Sequence, residues 1–415
     1  MKIARVTVKI IFCLAFVMSV FVFSVMFYLN GTLSKEYKIN KGDIFEINTV
    51  VPITAEYDAA SMSGASLNSK GQNKFTVELK MFGAIPFSSV DVEVVDEIYV
   101  AVLGNPFGIK LYTEGVIVID TTDVSTNYGT VNPAVDSGIV KGDYILTANG
   151  ENITCNEDIA SIVADSAGRP IKLVIKRNGK KKTVTVTPAL SAETKNYQIG
   201  IWVRDSTAGI GTLTFYSPST NVLCGLGHGI CDNDTGSILE VETGQLVTAS
   251  ISAVQKGTSG SPGELKGTFK GETLSNIDLN CEIGVYGNLC GNINISALTE
   301  VALRQEVKNG KAQILCTVDG DTPKLYSCTV KKRAAGEHSN TQNLIVTVTD
   351  PELLKLTGGI VQGMSGSPII QNGKLIGAVT HVLVDDPTKG YAIFAENMLE
   401  IAQSVSESNK LKDAS

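Results

Sequence analysis

The sequence predicts a mainly β chain carried behind one N-terminal membrane-spanning helix. Three observations point that way. A single uncharged apolar run lies near the N-terminus, short strand-like segments punctuated by glycine fill most of the rest, and helical patterning is scarce until Ala395 to Ser406. Glycine supplies 40 of the 415 residues, and many short strands divided by turn residues are the pattern of β-sandwiches and barrels. That length calls for two or three domains.

In chain order, Lys2, Arg5 and Lys9 precede the apolar run Ile10 to Leu29, the ~20 residues that cross a bilayer core. The run is longer than the apolar core of a signal peptide and no small-x-small cleavage site follows, so it reads as an uncleaved anchor, residues 1–29. Positive charge before the span keeps the N-terminus in the cytoplasm and sends the chain from about Asn30 to the other side. Residues 30–97 read as an extracytoplasmic stalk, with a Ser/Gly/Asn-rich loop, Ser61 to Asn73, between the strand-like pieces Ile44 to Thr54 and Lys74 to Phe82. Such a stretch is the natural place for proteolytic release.

Outside the span lie Cys155, Cys224, Cys231, Cys281, Cys290, Cys316 and Cys328. An odd number excludes a fully oxidised intramolecular framework and leaves pairs such as Cys281 with Cys290 open. The net charge of -7 excludes a general basic field for nucleic acid. The one basic cluster, Lys176-Arg177-Asn178-Gly179-Lys180-Lys181-Lys182, straddles an Asn-Gly turn and reads as a hairpin tip.

Residues 98–190 contain Pro133-Ala134, Ser137-Gly138, Lys141-Gly142-Asp143-Tyr144-Ile145-Leu146 and Asn149-Gly150, with a short amphipathic helix at Glu157 to Ala164. In residue type and spacing this stretch resembles a PDZ domain. The resemblance implies that Asn105, Pro106, Phe107 and Gly108 hold a peptide's C-terminal carboxylate on backbone N–H groups while the peptide adds a strand to the sheet. The chain's own N-terminal region is one candidate ligand, and a docking module that binds no free peptide is the alternative.

Residues 191–415 suffice for two small β-barrels, and their centre is Gly363-Met364-Ser365-Gly366-Ser367-Pro368. A serine between glycines, on a tight loop opening into the apolar Ile369-Ile370, suits an acyl-transfer nucleophile, with the N–H groups of Gly363 and Ser365 aimed at one developing oxyanion. The strand leaving it turns back at Asn372-Gly373. An earlier loop, Lys256-Gly257-Thr258-Ser259-Gly260-Ser261-Pro262-Gly263, repeats the string and makes Ser259 a rival, but the polar Glu264 follows it where a buried strand is needed.

The chain has three histidines. His228 is flanked by Gly227 and Gly229, His338 sits in a polar loop, and His381 lies on the strand after the nucleophile, where it serves as a second base or a polar rim residue. The order His, Asp, Ser belongs to the chymotrypsin-like double β-barrel, and His228 fits it. For the acid, Asp350 ends an alternating strand before Pro351, while Asp232, Asp234, Asp319 and Asp321 occupy polar turns and stay in contention. A zinc site from Cys224, His228 and Cys231 has an uncommon spacing and no fourth ligand nearby, so no metal or other cofactor is expected.

Taken together, the anchor, the PDZ-like stretch, Gly225-Leu226-Gly227-His228-Gly229, the two glycine–serine loops and the run Gly377 to Tyr391 resemble the stage IV sporulation protein B peptidases of spore-forming Firmicutes. The resemblance covers essentially the whole chain. It implies a Ser-His-Asp triad of His228, Asp350 and Ser365, and a signalling serine endopeptidase in the space between the mother-cell and forespore membranes. Its cut in the extracytoplasmic part of a membrane-bound regulator would let an intramembrane protease activate a late mother-cell sigma factor. A non-catalytic PDZ scaffold at the membrane is the alternative.

Overall fold

The computed structural model describes residues 2–47, 49, 51–56, 74–232, 234–239, 241–295, 297–333 and 341–413. The predicted loop Ser61 to Asn73 and His338 lie outside the described residues. The protein is mainly β and divides into two compact units, the first formed by Met1–Ile98 with Leu303–Val307 and Arg333–His338, the second by the rest.

The first unit begins with the helix Lys2–Thr32, of which Ile10–Gly31 is long and apolar enough to cross a membrane and has a mean hydropathy of 2.8. A four-stranded sheet follows, in the order Glu36–Asn40, Ile85–Val95, Lys74–Met81, Ile53–Glu56. Alternation along Lys74–Met81 buries Val77, Leu79 and Met81 and turns Thr76 and Glu78 outward, as a half-buried strand requires. Residues 30–97 thus carry a small core of their own, more than a bare stalk would need.

In the second unit, two long strands, Pro106–Thr121 and Ile201–Ser217, pair antiparallel over most of their length. The first half of Pro106–Thr121 puts Phe107, Ile109 and Leu111 into one apolar cluster with Leu213, Leu226 and Val285. Its second half alternates, with Ile117 in the same cluster and Val116 and Val118 in another, beside Ile145, Ile159 and Ile171. At Gly115, φ 75, a side chain would begin 2.2 Å from the Ile145 carbonyl oxygen, so glycine is needed for the close approach of that strand. The second cluster is covered by the helix Asn156–Asp165 and the hairpin Ile171–Arg177 with Lys180–Val186, whose tip Asn178-Gly179 has φ 50 and 72. Two positive φ values are what a type I′ hairpin turn demands.

The sheet corrects the expected carboxylate-binding loop. Pro106, Phe107 and Gly108 lie inside a strand, paired with Thr212, Gly211 and Ile210 on one side, and Phe107 and Gly108 also with Thr248 and Val247 on the other. Asn105 is tied down as well, accepting from Leu213 N and donating to the Asp321 carbonyl. Their backbone groups are spent on the ladder, and Phe107 is fully buried.

C-terminal to this sheet, six strands close a barrel in the order Gly310–Cys316, Lys324–Lys332, Leu344–Val348, Lys389–Phe394, Lys374–Val382, Pro368–Gln371. The turn at Asn372 (φ 52) and Gly373 (φ 80) is again of the type I′ pattern. The helix Ala395–Asp413 follows, longer than the predicted Ala395 to Ser406. All eight cysteines are unpaired, including Cys281 and Cys290.

Candidate active site

The loop of the candidate nucleophile Ser365 is held from the neighbouring sheet. Thr212 N donates to the Ser365 carbonyl at 3.0 Å, Thr212 Oγ1 to the Gly363 carbonyl at 2.8 Å, and Thr214 Oγ1 to the Gly366 carbonyl at 2.8 Å. Within the loop, Met364 N donates to Val361 O, Gly366 N to Val379 O and Ser367 N to Met364 O. The N–H groups of Gly363 and Ser365, by contrast, have no hydrogen-bond partner among the described residues. Gly363 and Gly366 stand at φ 93 and 94, where a side chain is strained. At Gly366 a Cβ would also meet the Thr212 carbonyl oxygen at 2.0 Å and Leu226 N at 2.5 Å, so glycine is required for the two loops to touch.

His228 follows the strand Val222–Gly225 through a tight turn. Gly227 N donates to the Gly225 carbonyl at 2.9 Å across Leu226, whose φ is 68. That is a γ-turn of the rare positive-φ kind, strained for a leucine. Such strain persists only when the surroundings fix it. Here Leu226 is buried and its N–H donates to the Thr212 carbonyl at 3.3 Å.

His228 Nδ1 lies 2.8 Å from the Gly229 carbonyl oxygen. A carbonyl can only accept, so Nδ1 carries the proton and Nε2 is left as the basic nitrogen. Burial lowers the His228 pKa, and the bond to Gly229 opposes that in part. His381 packs its ring against His228 with centroids 4.9 Å apart and planes tilted by 35°. Although His381 is exposed as a residue, its ring has lost hydration there, and with the neighbouring His228 this brings its pKa down to about 4.

Ser365 Oγ donates to the carbonyl of Thr380, the residue before His381, at 2.7 Å. Ser365, His228 and His381 therefore share one corner, where the barrel strand Lys374–Val382 meets the sheet. The serine proton points at Thr380, so it must rotate toward an imidazole before it can be abstracted, a loose resting geometry familiar in unliganded sites.

Asp350 is not brought to His228. Its carboxylate caps the helix Pro351–Thr357, accepting from Glu352 N at 3.0 Å and Leu353 N at 3.3 Å, and it also takes Ser327 N at 3.1 Å. Burial alone would raise its pKa, but these N–H donors hold it below the ordinary value. Ser259 is exposed, its Oγ donating to the Asp385 carbonyl at 2.9 Å. Sequence reading missed Thr212, Thr214 and Thr380. Buried threonines on strands carry no signal of their own, since they read as ordinary β formers.

The sequence model of the SpoIVB peptidase S55 family matches residues 195–399, and that of the PDZ domain matches residues 91–187. Among curated proteins, the probable protease eep of Enterococcus faecalis is 34% identical over 86 residues, 20% of this chain and 19% of its own. Zinc metalloprotease RasP of Bacillus licheniformis is 30% identical over 121 residues, 29% of this chain and 26% of its own. The chain thus spans about a fifth to a quarter of the length of these relatives. Among solved structures, the PDZ domain of the SdrC-like protein from Listeria monocytogenes is 21% identical and covers 22% of this chain and 87% of its own, with a TM-score of 0.18. The chain carries a PDZ domain and, through residues 195–399, belongs to the SpoIVB peptidase S55 family.

Proposed function

We propose that the peptidase is a serine endopeptidase with Ser365 as nucleophile and His228 as general base. The observation that supports it most is the meeting of the His228 turn with a serine loop whose Gly363 and Ser365 N–H groups are left unpaired. In this reading, His228 Nε2 takes the Ser365 proton as Oγ attacks a peptide carbonyl, and the two N–H groups receive the oxyanion. The Gly229 carbonyl, holding Nδ1–H, keeps the imidazole in the right tautomer, the task that a triad carboxylate performs elsewhere. Asp350 then serves the site at one remove, by capping the helix Pro351–Thr357 from which the chain runs directly into the nucleophile loop. The apolar helix anchors the protein with its N-terminus in the cytoplasm, and the substrate is the extracytoplasmic part of a membrane-bound regulator, whose cleavage releases an intramembrane protease for sigma-factor activation.

The test uses the full chain in detergent micelles, a fluorophosphonate probe and a peptide library. Labelling at Ser365, with cleavage lost in Ser365→Ala, is the expected result; cleavage that survives Ser365→Ala would remove the serine mechanism. One observation favours a second reading, a PDZ scaffold without catalysis: the Ser365 hydroxyl is committed to the Thr380 carbonyl. Absence of both labelling and cleavage would select it.

A further inference from the structure

The turn that follows His228 is fastened from outside at three points. Asn280 Nδ2 donates to the carbonyls of Ile230 and Leu239 at 3.0 Å each, and its Oδ1 accepts from Ile230 N at 2.8 Å. The Glu282 carbonyl accepts from Gly229 N at 3.2 Å. The third fastening is charged. Arg204 Nη1 donates to Asp232 Oδ2 and Arg204 Nη2 to Asp234 Oδ2, both at 2.7 Å.

Asp232 is fully buried, and its other oxygen caps its own turn, accepting from Asp234 N at 3.0 Å and Thr235 N at 2.8 Å. A buried carboxylate in this setting depends on its cation, because removing one partner strands an uncompensated charge. The cation does not come from the turn itself. Arg204 sits on the strand Ile201–Ser217 opposite Ile117, a residue of the PDZ match, and the register slips directly after it, between Arg204 and Ser206. Inside that slip, Asp205 Oδ2 accepts from Asn156 N at the start of the PDZ helix, 3.1 Å away.

We propose that Arg204 is a positioning residue for His228, clamping the histidine turn to the strand that the peptidase shares with the PDZ domain. The proposal rests on the serine peptidase reading of Ser365 and His228. Asp232 N donates to the Ser237 carbonyl and Cys231 bridges to Ile238, so a fixed Asp232 fixes the turn back to Gly229. The Gly229 carbonyl in turn holds Nδ1–H of His228. Without the clamp that acceptor drifts, and Nε2 loses its aim at Ser365. Substrate contacts are not involved, so the loss falls on kcat and leaves KM in place.

The experiment measures kcat, KM and the rate of fluorophosphonate labelling at Ser365 for the full chain in detergent micelles, as wild type and as Arg204→Met, Arg204→Lys, Asp232→Asn and Asp234→Asn. Arg204→Met is expected to lose about 10²-fold in kcat and in labelling rate, the scale set by a small misplacement of a catalytic group. KM stays within about twofold, the signature of an interaction that matters in the transition state. Arg204→Lys recovers most of the loss, and Asp234→Asn, at the exposed partner, behaves as wild type. Labelling of folded Arg204→Met at the wild-type rate would overturn the clamp, as would a loss that follows the folded fraction alone and that lysine does not repair. If Arg204→Met does not fold, Asp232→Asn decides by the same readouts, since the amide keeps the turn's cap and drops its charge. A wild type that is not labelled at Ser365 would sink the serine reading itself, whereas a labelled wild type beside an unaffected Arg204→Met sinks only the clamp.

Discussion

The loops Lys256 to Gly263 and Gly363 to Pro368 carry almost the same string and end in different roles. In the first, Thr258 and Ser261 exchange hydrogen bonds at 2.9 Å, Gly260 N donates to the Val384 carbonyl, and exposed Ser259 gives its proton to the Asp385 carbonyl. In the second, Thr212 and Thr214 hold the loop from beneath, and its serine donates to the carbonyl of Thr380, the residue before His381, whose ring packs on His228. Ser-Gly-Ser-Pro therefore encodes a turn, with Gly260 at φ 78 and Gly366 at φ 94. What differs is the continuation, because apolar Ile369-Ile370 must enter a barrel while polar Glu264 stays exposed. The buried strand seats Ser365 against the strand that carries Thr380 and His381.

The sharpest way to break this comparison is to remove each serine. Ser365→Ala is expected to cost about 10³-fold or more in peptide cleavage, while Ser259→Ala stays within about twofold, as distant surface substitutions usually do. A reversed ranking in the cleavage assay would move the nucleophile to the first loop.

The two histidines come next. His228→Ala should cost about 10³-fold and His381→Ala about tenfold, in keeping with a general base against a neighbouring ring. Their pH profiles separate them further. Burial lowers the His228 pKa, so the acid limb of kcat/KM in the wild type lies below 6.5 and activity falls as pH drops through it. Stripping away the His381 ring rehydrates His228, and the limb should climb toward 6.5. A limb that stays put in His381→Ala would show that the packed ring does not tune the base.

Asp350 gives a smaller and more discriminating effect. Asp350→Ala is expected to lose about 1 kcal/mol of stability with its N-cap, read as a fall in Tm accompanied by a partial loss of activity. Asp350→Asn keeps the cap and most of the activity. A loss of about 10⁴-fold in the asparagine variant, the size seen when a triad carboxylate is neutralised, would instead put the carboxylate on His228 during turnover. Smallest of all, Thr212→Val removes the bond beneath Gly363 and should slow cleavage by about tenfold or less, the net worth of one neutral hydrogen bond.

Ser365 and His228 stood out as candidates because nearby glycines around a reactive side chain are a local signal, while the hairpins at Asn178-Gly179 and Asn372-Gly373 were legible from their turn residues. Asp350 shows how a local signal can be read the wrong way. Asp350-Pro351-Glu352 is also a helix start, with a capping carboxylate, proline in the first turn and an acidic residue after it. The carboxylate-loop reading of Asn105 to Gly108 failed for a different reason. A glycine-containing stretch looks like a loop until its partners near Ile210 and Val247 are known, and those lie about a hundred or more residues away, beyond any local pattern. Arg204 was invisible for the same reason, since its meaning comes from Asp232 and Asp234 across the fold.

The long strand Pro106–Thr121 feeds two apolar clusters, one from each face of its second half. Neither cluster can lose that strand and survive, so unfolding of one withdraws a wall from the other. The second unit should therefore melt as one cooperative transition, without a separate PDZ step. In evolutionary terms the PDZ here is not a cassette that could be exchanged at its borders: any substitute would have to bring with it half of the sheet from which the His228 turn departs.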